Sequence, residues 1–358
     1  MKIGLIGLQN SGKTTIFNAL TGLEAEITSY SGQKVEPNLG IVEVKDPRIS
    51  KLAQMYEPRK PIYTKIEYID FVGLSEEVDN DVPTSELLTL IKTTDALALI
   101  VRNFDDEIIS QTLGLPNPIS DIDKINSELI ISDLIIAEKR LEKIELSKKR
   151  GIKETELLIE EKAIKKVMEY LDQEKPIREL ELSNEEEKTI RGFQFISQKP
   201  IMVILNSREN NFGQNEEVLN KIGNKYKVIE FAGKFEMELN KLSNEEKKEF
   251  MEDMGIKESA RDRLTELSYD LLGYISFFTI GKDEVRAWTI TKGESALEAA
   301  GKVHSDFARG FIRAECFSYD DLINAGSEKE VREKGLFRLE GKNYVVKDGD
   351  ILKIRFNI

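Results

Sequence analysis

The amino-acid sequence predicts an α/β fold in three pieces: an open parallel sheet, a helical insertion that interrupts it, and a small mixed sheet carrying one helix. Three observations predict this. Strand-length apolar runs alternate with helix-length stretches over residues 1–120 and again over 199–274; the segment 121–198 spaces its apolar residues for helices; and residues 275–358 change period once more.

The first strand candidate, Lys2–Gly7, runs directly into the stretch GLQNSGKT at residues 7–14, and the helix candidate TTIFNAL follows. Gly-x-x-x-x-Gly-Lys-Thr between a strand and a helix is the phosphate-cradling P-loop, in which successive backbone N–H groups wrap a phosphate and the helix N-terminus adds positive potential. Such a pattern can arise by chance in a loop, but the flanking strand and helix stand where the mechanism needs them. Asn10, Ser11, Gly12, Lys13, Thr14 and Thr15 are therefore candidate phosphate residues. Lys13 would reach the β- and γ-phosphates, and the Thr14 hydroxyl would ligate Mg²⁺.

Further strand candidates are Gly40–Val44, Lys65–Phe71 and Ala96–Val101, and the series resumes after the insertion with Ile201–Asn206 and Lys227–Phe231. Asp70, with Phe71-Val72-Gly73 after it, gives an Asp-x-x-Gly arrangement. Downstream of a P-loop, that places a carboxylate near Mg²⁺ and the Gly73 N–H near the γ-phosphate.

The interruption reads as an antiparallel helical hairpin of coiled-coil type. Ile130, Leu134, Ala137, Leu141 and Ile144 repeat with 4-3-4-3 spacing, Lys149-Arg150-Gly151 stops that helix, and Ile164, Met168 and Leu171 mark a returning one. Its run Glu185-Glu186-Glu187-Lys188 reads as a solvated face. In the last piece, Phe277–Ile280 and Val285–Ile290 form a hairpin, Ser295-x-x-Glu298 opens a helix toward Phe307, and Phe311–Phe317 and Tyr344–Phe356 supply further strands. One helix on a small mixed sheet is a β-grasp arrangement. The expected division is 1–120 and 199–274 for the P-loop domain, 121–198 for the insertion and 275–358 for the last module.

The composition narrows the function. A net charge of −13 in 358 residues argues against coating nucleic acid non-specifically, although residues 275–358 balance 14 Lys plus Arg against 14 Asp plus Glu, so the acid excess lies upstream. No apolar run is long enough to span a bilayer, the N-terminus passes straight into a strand, and the single cysteine, Cys316, excludes an internal disulfide framework. A cytoplasmic protein that needs neither membrane nor DNA is expected.

Asn206-Ser207-Arg208-Glu209 stands where many GTP-binding proteins carry Asn-Lys-x-Asp. The Asp of that motif accepts two hydrogen bonds from guanine, and losing such a pair in a closed pocket costs roughly 10⁴-fold in discrimination. Glu209 is one methylene longer and should not hold guanine in that way. Asn206 and Glu209 are the candidate base residues.

Taken together, GLQNSGKTTIFNALTG, VEPNLGIVEVKDPR, IDFVGL, NSRE and the stretch ISFFTIGKDEVRAWTITKGESALEAAGKVHSDFARGFIRAE resemble the YchF, or Obg-like, ATPases of the translation-factor P-loop GTPases, over nearly the whole chain. The resemblance implies a G domain interrupted by a coiled coil and followed by a ubiquitin-like TGS domain. It also implies ATP binding at least as good as GTP binding, slow Mg²⁺-dependent hydrolysis, and association with ribosomes or ribosomal RNA; a monomer is expected separately. In K⁺-stimulated relatives the Asn10 position lends an oxygen to a potassium ion; an Asn stabilising its own turn is the plainer alternative.

The chain departs from the family pattern at the residues tied to turnover. Lys34 replaces a switch I threonine, and Ser75-Glu76-Glu77-Val78-Asp79-Asn80-Asp81 replaces a glycine-rich segment of switch II. Leu74 stands where Ras-like enzymes orient water with Gln, as in the relatives, and Ser110 stands at the place of the family's histidine. The only histidine, His304, lies in the last module and reads as structural. Three functions stay open: a slow ATPase or GTPase, a hydrolysis-deficient nucleotide-binding adaptor, and a guanine-specific switch, the last opposed by Glu209.

Overall fold

The computed structural model describes residues 1–25, 37–71, 85–151, 155–253 and 258–357. The chain divides into two compact units, Met1–Ile41 with Glu67–Arg261, and Val42–Ile66 with Asp262–Ile358.

Among the described residues, seven strands precede residue 232: β1 (Lys2–Ile6), β2 (Asn38–Glu43), β3 (Lys60–Ile62), β4 (Lys65–Asp70), β5 (Ala96–Asn103), β6 (Ile201–Ser207) and β7 (Lys227–Phe231). All but β3 form one sheet in the order β2-β4-β1-β5-β6-β7. The β1–β4, β1–β5, β5–β6 and β6–β7 pairs are parallel. The central strands β5 and β6 are buried almost throughout, which is why they read as continuous apolar runs rather than alternating ones. Because consecutive parallel strands need crossovers, their C-terminal ends share one edge, where ligands of such sheets gather.

The helices that serve this sheet are α1 (Lys13–Thr21), then, beyond α2 (Pro47–Tyr56), α3 (Ser85–Lys92) and α4 (Glu107–Leu113). The insertion supplies α5 (Pro118–Lys149), α6 (Thr155–Leu171) and α7 (Asn184–Ile190), and after β6 come α8 (Glu216–Gly223), α9 (Gly233–Leu239), α10 (Asn244–Asp253) and α11 (Ala260–Leu271). In the hairpin, Ile130 and Ala137 of α5 pack with Ala163, Ile164 and Val167 of α6, and Leu134 and Leu141 lie against the same cluster. The acidic run is not wholly solvated: Glu186 is buried, accepts the Ser183 N–H in a capping box and lies 3.4 Å from the Lys166 ammonium. An N3 glutamate that closes a helix start is drawn inward by its own backbone partners.

The second unit holds the sheet β11-β10-β12-β8-β9-β3, with β8 (Tyr274–Ile280), β9 (Glu284–Thr291), β10 (Phe311–Ser318), β11 (Arg338–Glu340) and β12 (Asp350–Phe356). Its helices are α12 (Ala296–Val303), α13 (Ser305–Arg309), α14 (Tyr319–Ala325) and α15 (Glu328–Glu333). The helix expected to run to Phe307 breaks at His304, whose backbone is extended and whose Nδ1 accepts the Asp306 N–H, capping α13. Of the strand expected over Tyr344–Phe356, only Asp350–Phe356 forms, because Lys347–Gly349 turns so that Asp350 can accept the Lys347 N–H.

Phe277 and Phe278 are neighbours on β8 and so face opposite sides of the sheet. Phe277 packs with Ala296 and Ala299 of α12, and Phe278 with Ile49 and Leu52 of α2, Leu322 of α14 and Val331 of α15. The sequence reading left residues 42–66 inside the P-loop domain; in the structure α2 and β3 complete the second unit. β3 pairs parallel with β9, and Arg48 of α2 is held by Asp46 at 2.8 Å and Asp348 at 2.6 Å. Cys316 is a buried core thiol that burial pushes up to about 12, with Arg338 Nη2 donating to its sulfur.

Candidate nucleotide-binding site

The β1-to-α1 turn makes the centre of the site. Asn10 adopts φ 58° and Gly12 φ 94°, both in the left-handed region, so the chain doubles back and α1 starts at Lys13 with Gly12 as its N-cap. A Cβ on Gly12 would lie 2.2 Å from the Asn206 amide nitrogen, so no side chain fits there. The Lys13 ammonium donates to the carbonyls of Gly7 at 2.9 Å and Leu8 at 3.1 Å, which folds its charge over the loop.

Asn206, at the end of β6, ties three segments together. Its amide donates to the Ser11 carbonyl at 2.9 Å, and its carbonyl oxygen accepts the Gly233 N–H at 3.3 Å. A cavity of about 760 Å³ opens beside this junction, lined by Gly12, Thr15, Asn206, Glu209, Phe104 and Phe235 among others. Glu209 begins a short 3₁₀ turn after β6. That turn is fixed from behind by buried Glu230 of β7, which accepts from the Ser207 hydroxyl at 2.7 Å and the Gly213 N–H at 2.9 Å.

Asp70, at the end of β4, is fully buried and its Oδ2 accepts from the Asn38 amide at 3.3 Å. Burial raises its carboxyl above the usual range, while the Thr14 hydroxyl, the Asn38 amide and the Lys13 charge pull it back. Its Oδ1 has no hydrogen-bond partner among the described residues. A buried carboxylate oxygen left open beside a threonine hydroxyl suits a hard cation with oxygen ligands, so Thr14 and Asp70 fit Mg²⁺.

Comparison with known proteins shows what the whole chain resembles. A family model described as "50S ribosome-binding GTPase" matches residues 2–134, and the model YchF-GTPase_C, described as a protein of unknown function, matches residues 274–357. The chain is 39% identical to a protein of Bacillus subtilis named "Ribosome-binding ATPase YchF", over 99% of both chains. It is 37% identical to the protein of that name from Haemophilus influenzae, over 100% of this chain and 99% of the relative. Among solved structures, the YchF GTPase of Schizosaccharomyces pombe matches with a TM-score of 0.86 and 30% identity, covering 99% of this chain and 97% of that one.

The chain belongs to the YchF family.

Within this YchF fold, Ser110 lies on α4, where its hydroxyl donates to Asp105 at 2.6 Å. It is not among the residues that line the 760 Å³ cavity. Lys34, Gly73, Leu74 and the acidic stretch 75–81 lie outside the described residues. The structure brings Gly12, Thr15, Asn206 and Glu209 together at one cavity and sets Asp70 near Thr14 and Lys13. Sequence reasoning missed Phe104, Lys234, Phe235 and Glu230. The signal was there for Lys234 and Phe235: they follow Phe231-Ala232-Gly233 immediately after the last parallel strand, at the ligand-gathering edge. Glu230 reads as one charge in an apolar strand and is recognisable only from its partners.

Proposed function

We propose that this YchF-family chain binds ATP, and GTP in addition, with Mg²⁺, and that it associates with ribosomes as the names of its relatives state for them. The observation that carries the nucleotide reading is the junction at Asn206, which joins the P-loop, the base-side turn and the β7–α9 loop around one 760 Å³ cavity. Lys13 and the backbone N–H groups of residues 10–15 would cradle the phosphates. Thr14 and Asp70 would hold Mg²⁺, which neutralises phosphate charge when bound. Phe104 and Phe235 give a planar base apolar walls, and Glu209 accepts an exocyclic amine more readily than it accepts guanine's paired donors. Slow hydrolysis, regulating ribosome-linked interactions from the cytoplasm, is the activity this reading assigns.

A hydrolysis-deficient adaptor is the second reading. The observation favouring it is that Ser110, at the place of the family's histidine, is engaged with Asp105, while the chain's only histidine caps a helix in the second unit. Paired measurements on one sample test both: nucleotide affinity, and single-turnover hydrolysis at saturating Mg²⁺–ATP, with and without ribosomes. Micromolar or tighter ATP binding with turnover supports the first reading, and binding without turnover the second. Absence of nucleotide binding overturns both.

A further inference from the structure

Glu230 lies in the buried half of β7, between Ile229 and Phe231, and is 7% exposed. A carboxylate is costly to bury unless donors surround it. Here Oε1 accepts the Ser207 hydroxyl at 2.7 Å and the Asn215 side-chain amide at 2.5 Å, and Oε2 accepts the Gly213 N–H at 2.9 Å. An ionised carboxyl group offers acceptors on both oxygens at once, whereas an amide in its place would set a donor against one of these donors.

The donors stand at the two ends of one turn. Ser207 closes β6, Gly213 and Asn215 precede α8, and between them Arg208, Glu209 and Asn210 line the 760 Å³ cavity. A second stretch of the cavity wall joins the same network. Asn103, in register with Ser207 across the β5–β6 pair, donates its side-chain amide to the Ser207 hydroxyl oxygen at 3.0 Å, and its backbone carbonyl accepts from the Asn211 side chain at 3.1 Å. Phe104, the next residue, lines the cavity, while Glu230 is not among the lining residues. The P-loop is held separately, through Asn206 on the Ser11 carbonyl and Lys13 on the carbonyls of Gly7 and Leu8.

We propose that Glu230 is a positioning residue for base recognition. It touches no nucleotide; through Ser207, Gly213 and Asn215 it fixes where the Glu209 carboxylate stands relative to Phe104, and so sets the preference for adenine over guanine. One carboxylate separates two bases only when it is held to within about 0.5 Å, and a turn released from its anchor lets Glu209 shift to meet either base. The inference rests on the nucleotide reading above, in which Glu209 accepts an exocyclic amine.

The test is calorimetric titration of the full chain with Mg²⁺–ATP and Mg²⁺–GTP, and its readout is the ratio of the two affinities. Glu230→Ala should weaken ATP about tenfold and GTP about twofold, so that the ATP-to-GTP ratio falls about fivefold. Glu230→Gln keeps one acceptor oxygen for Ser207 and Asn215 but turns an amide donor toward the Gly213 N–H, so its ratio should lie between those of the wild type and the alanine variant. Being equal in size, it also carries the test if Glu230→Ala does not fold. A merely structural role would weaken both nucleotides alike and leave the ratio where it was. An unmoved ratio in the variants, or a wild-type chain that binds ATP without preferring it to GTP, would overturn this inference alone. A wild-type chain that binds neither nucleotide would overturn the nucleotide reading and this inference with it.

Discussion

The side-chain amide of Asn206 donates to the carbonyl of Ser11 across 2.9 Å, linking residues 195 positions apart and fixing the P-loop to the base-side turn. Its other end accepts the Gly233 N–H, so one side chain sets the relation of three loops. Asn206→Ala removes both hydrogen bonds. At about 1 kcal/mol each, nucleotide affinity should fall roughly tenfold to thirtyfold. ATP and GTP should be affected alike, because the loss is positional; titration of both nucleotides checks this.

Lys13→Ala should weaken ATP binding by orders of magnitude, since it deletes the charge that compensates phosphate in a nest of backbone dipoles. In the structure that ammonium also donates to the Gly7 and Leu8 carbonyls, so its removal carries a stability cost that a thermal melt of the ligand-free chain separates from the loss of ligand binding. Unchanged ATP affinity by calorimetry would refute the P-loop role.

Glu209→Asp should raise GTP affinity relative to ATP by shortening the carboxylate to the geometry that accepts guanine's two donors. Glu209 lines the same cavity as Phe104 and Phe235, so the ATP-to-GTP ratio is the sensitive readout. A ratio that does not move would remove Glu209 from the base-facing set.

Asp70 makes a pH prediction. Burial raises its carboxyl in the folded chain above the ordinary aspartate value, so the folded state holds that proton over the interval between the two values. As pH rises through that interval the ligand-free protein loses stability, while the Mg²⁺-competent carboxylate form gains population. Mg²⁺ affinity should therefore rise with pH there. Asp70→Asn should abolish the Mg²⁺ dependence of nucleotide binding and raise the melting temperature of the ligand-free chain. A lower melting temperature for the variant would show that the ionised carboxylate is satisfied in the ligand-free state.

Asn10 takes φ 58°, a conformation that Asn tolerates better than most residues by bonding its own turn. Hydrolysis rates should accordingly be equal in K⁺ and Na⁺. A clear K⁺ stimulation would assign the side chain to an ion instead.

The sequence by itself determined the P-loop, the parallel order of strand and helix around it, the hairpin and the residues on its inner face, because each depends on local spacing that the chain carries wherever it folds. It also placed Asp70 at a strand end and Asn206 after a buried run. What tertiary structure decided was anything whose partner is distant in sequence. The segment 42–66 reads as part of the P-loop domain by position, yet Ile49 and Leu52 pack under Phe278 and Arg48 reaches Asp348, so burial assigns it to the second unit. Glu186 looks solvated within its acidic run and is buried by its own cap and by Lys166. Glu230, Phe104 and Asn103 carry no pattern at all; their roles arise only when β5, β6 and β7 lie side by side and bring a turn, a cavity wall or a bridging amide within reach. Local periodicity specifies which face of an element turns inward, and only the packed fold specifies what that face meets.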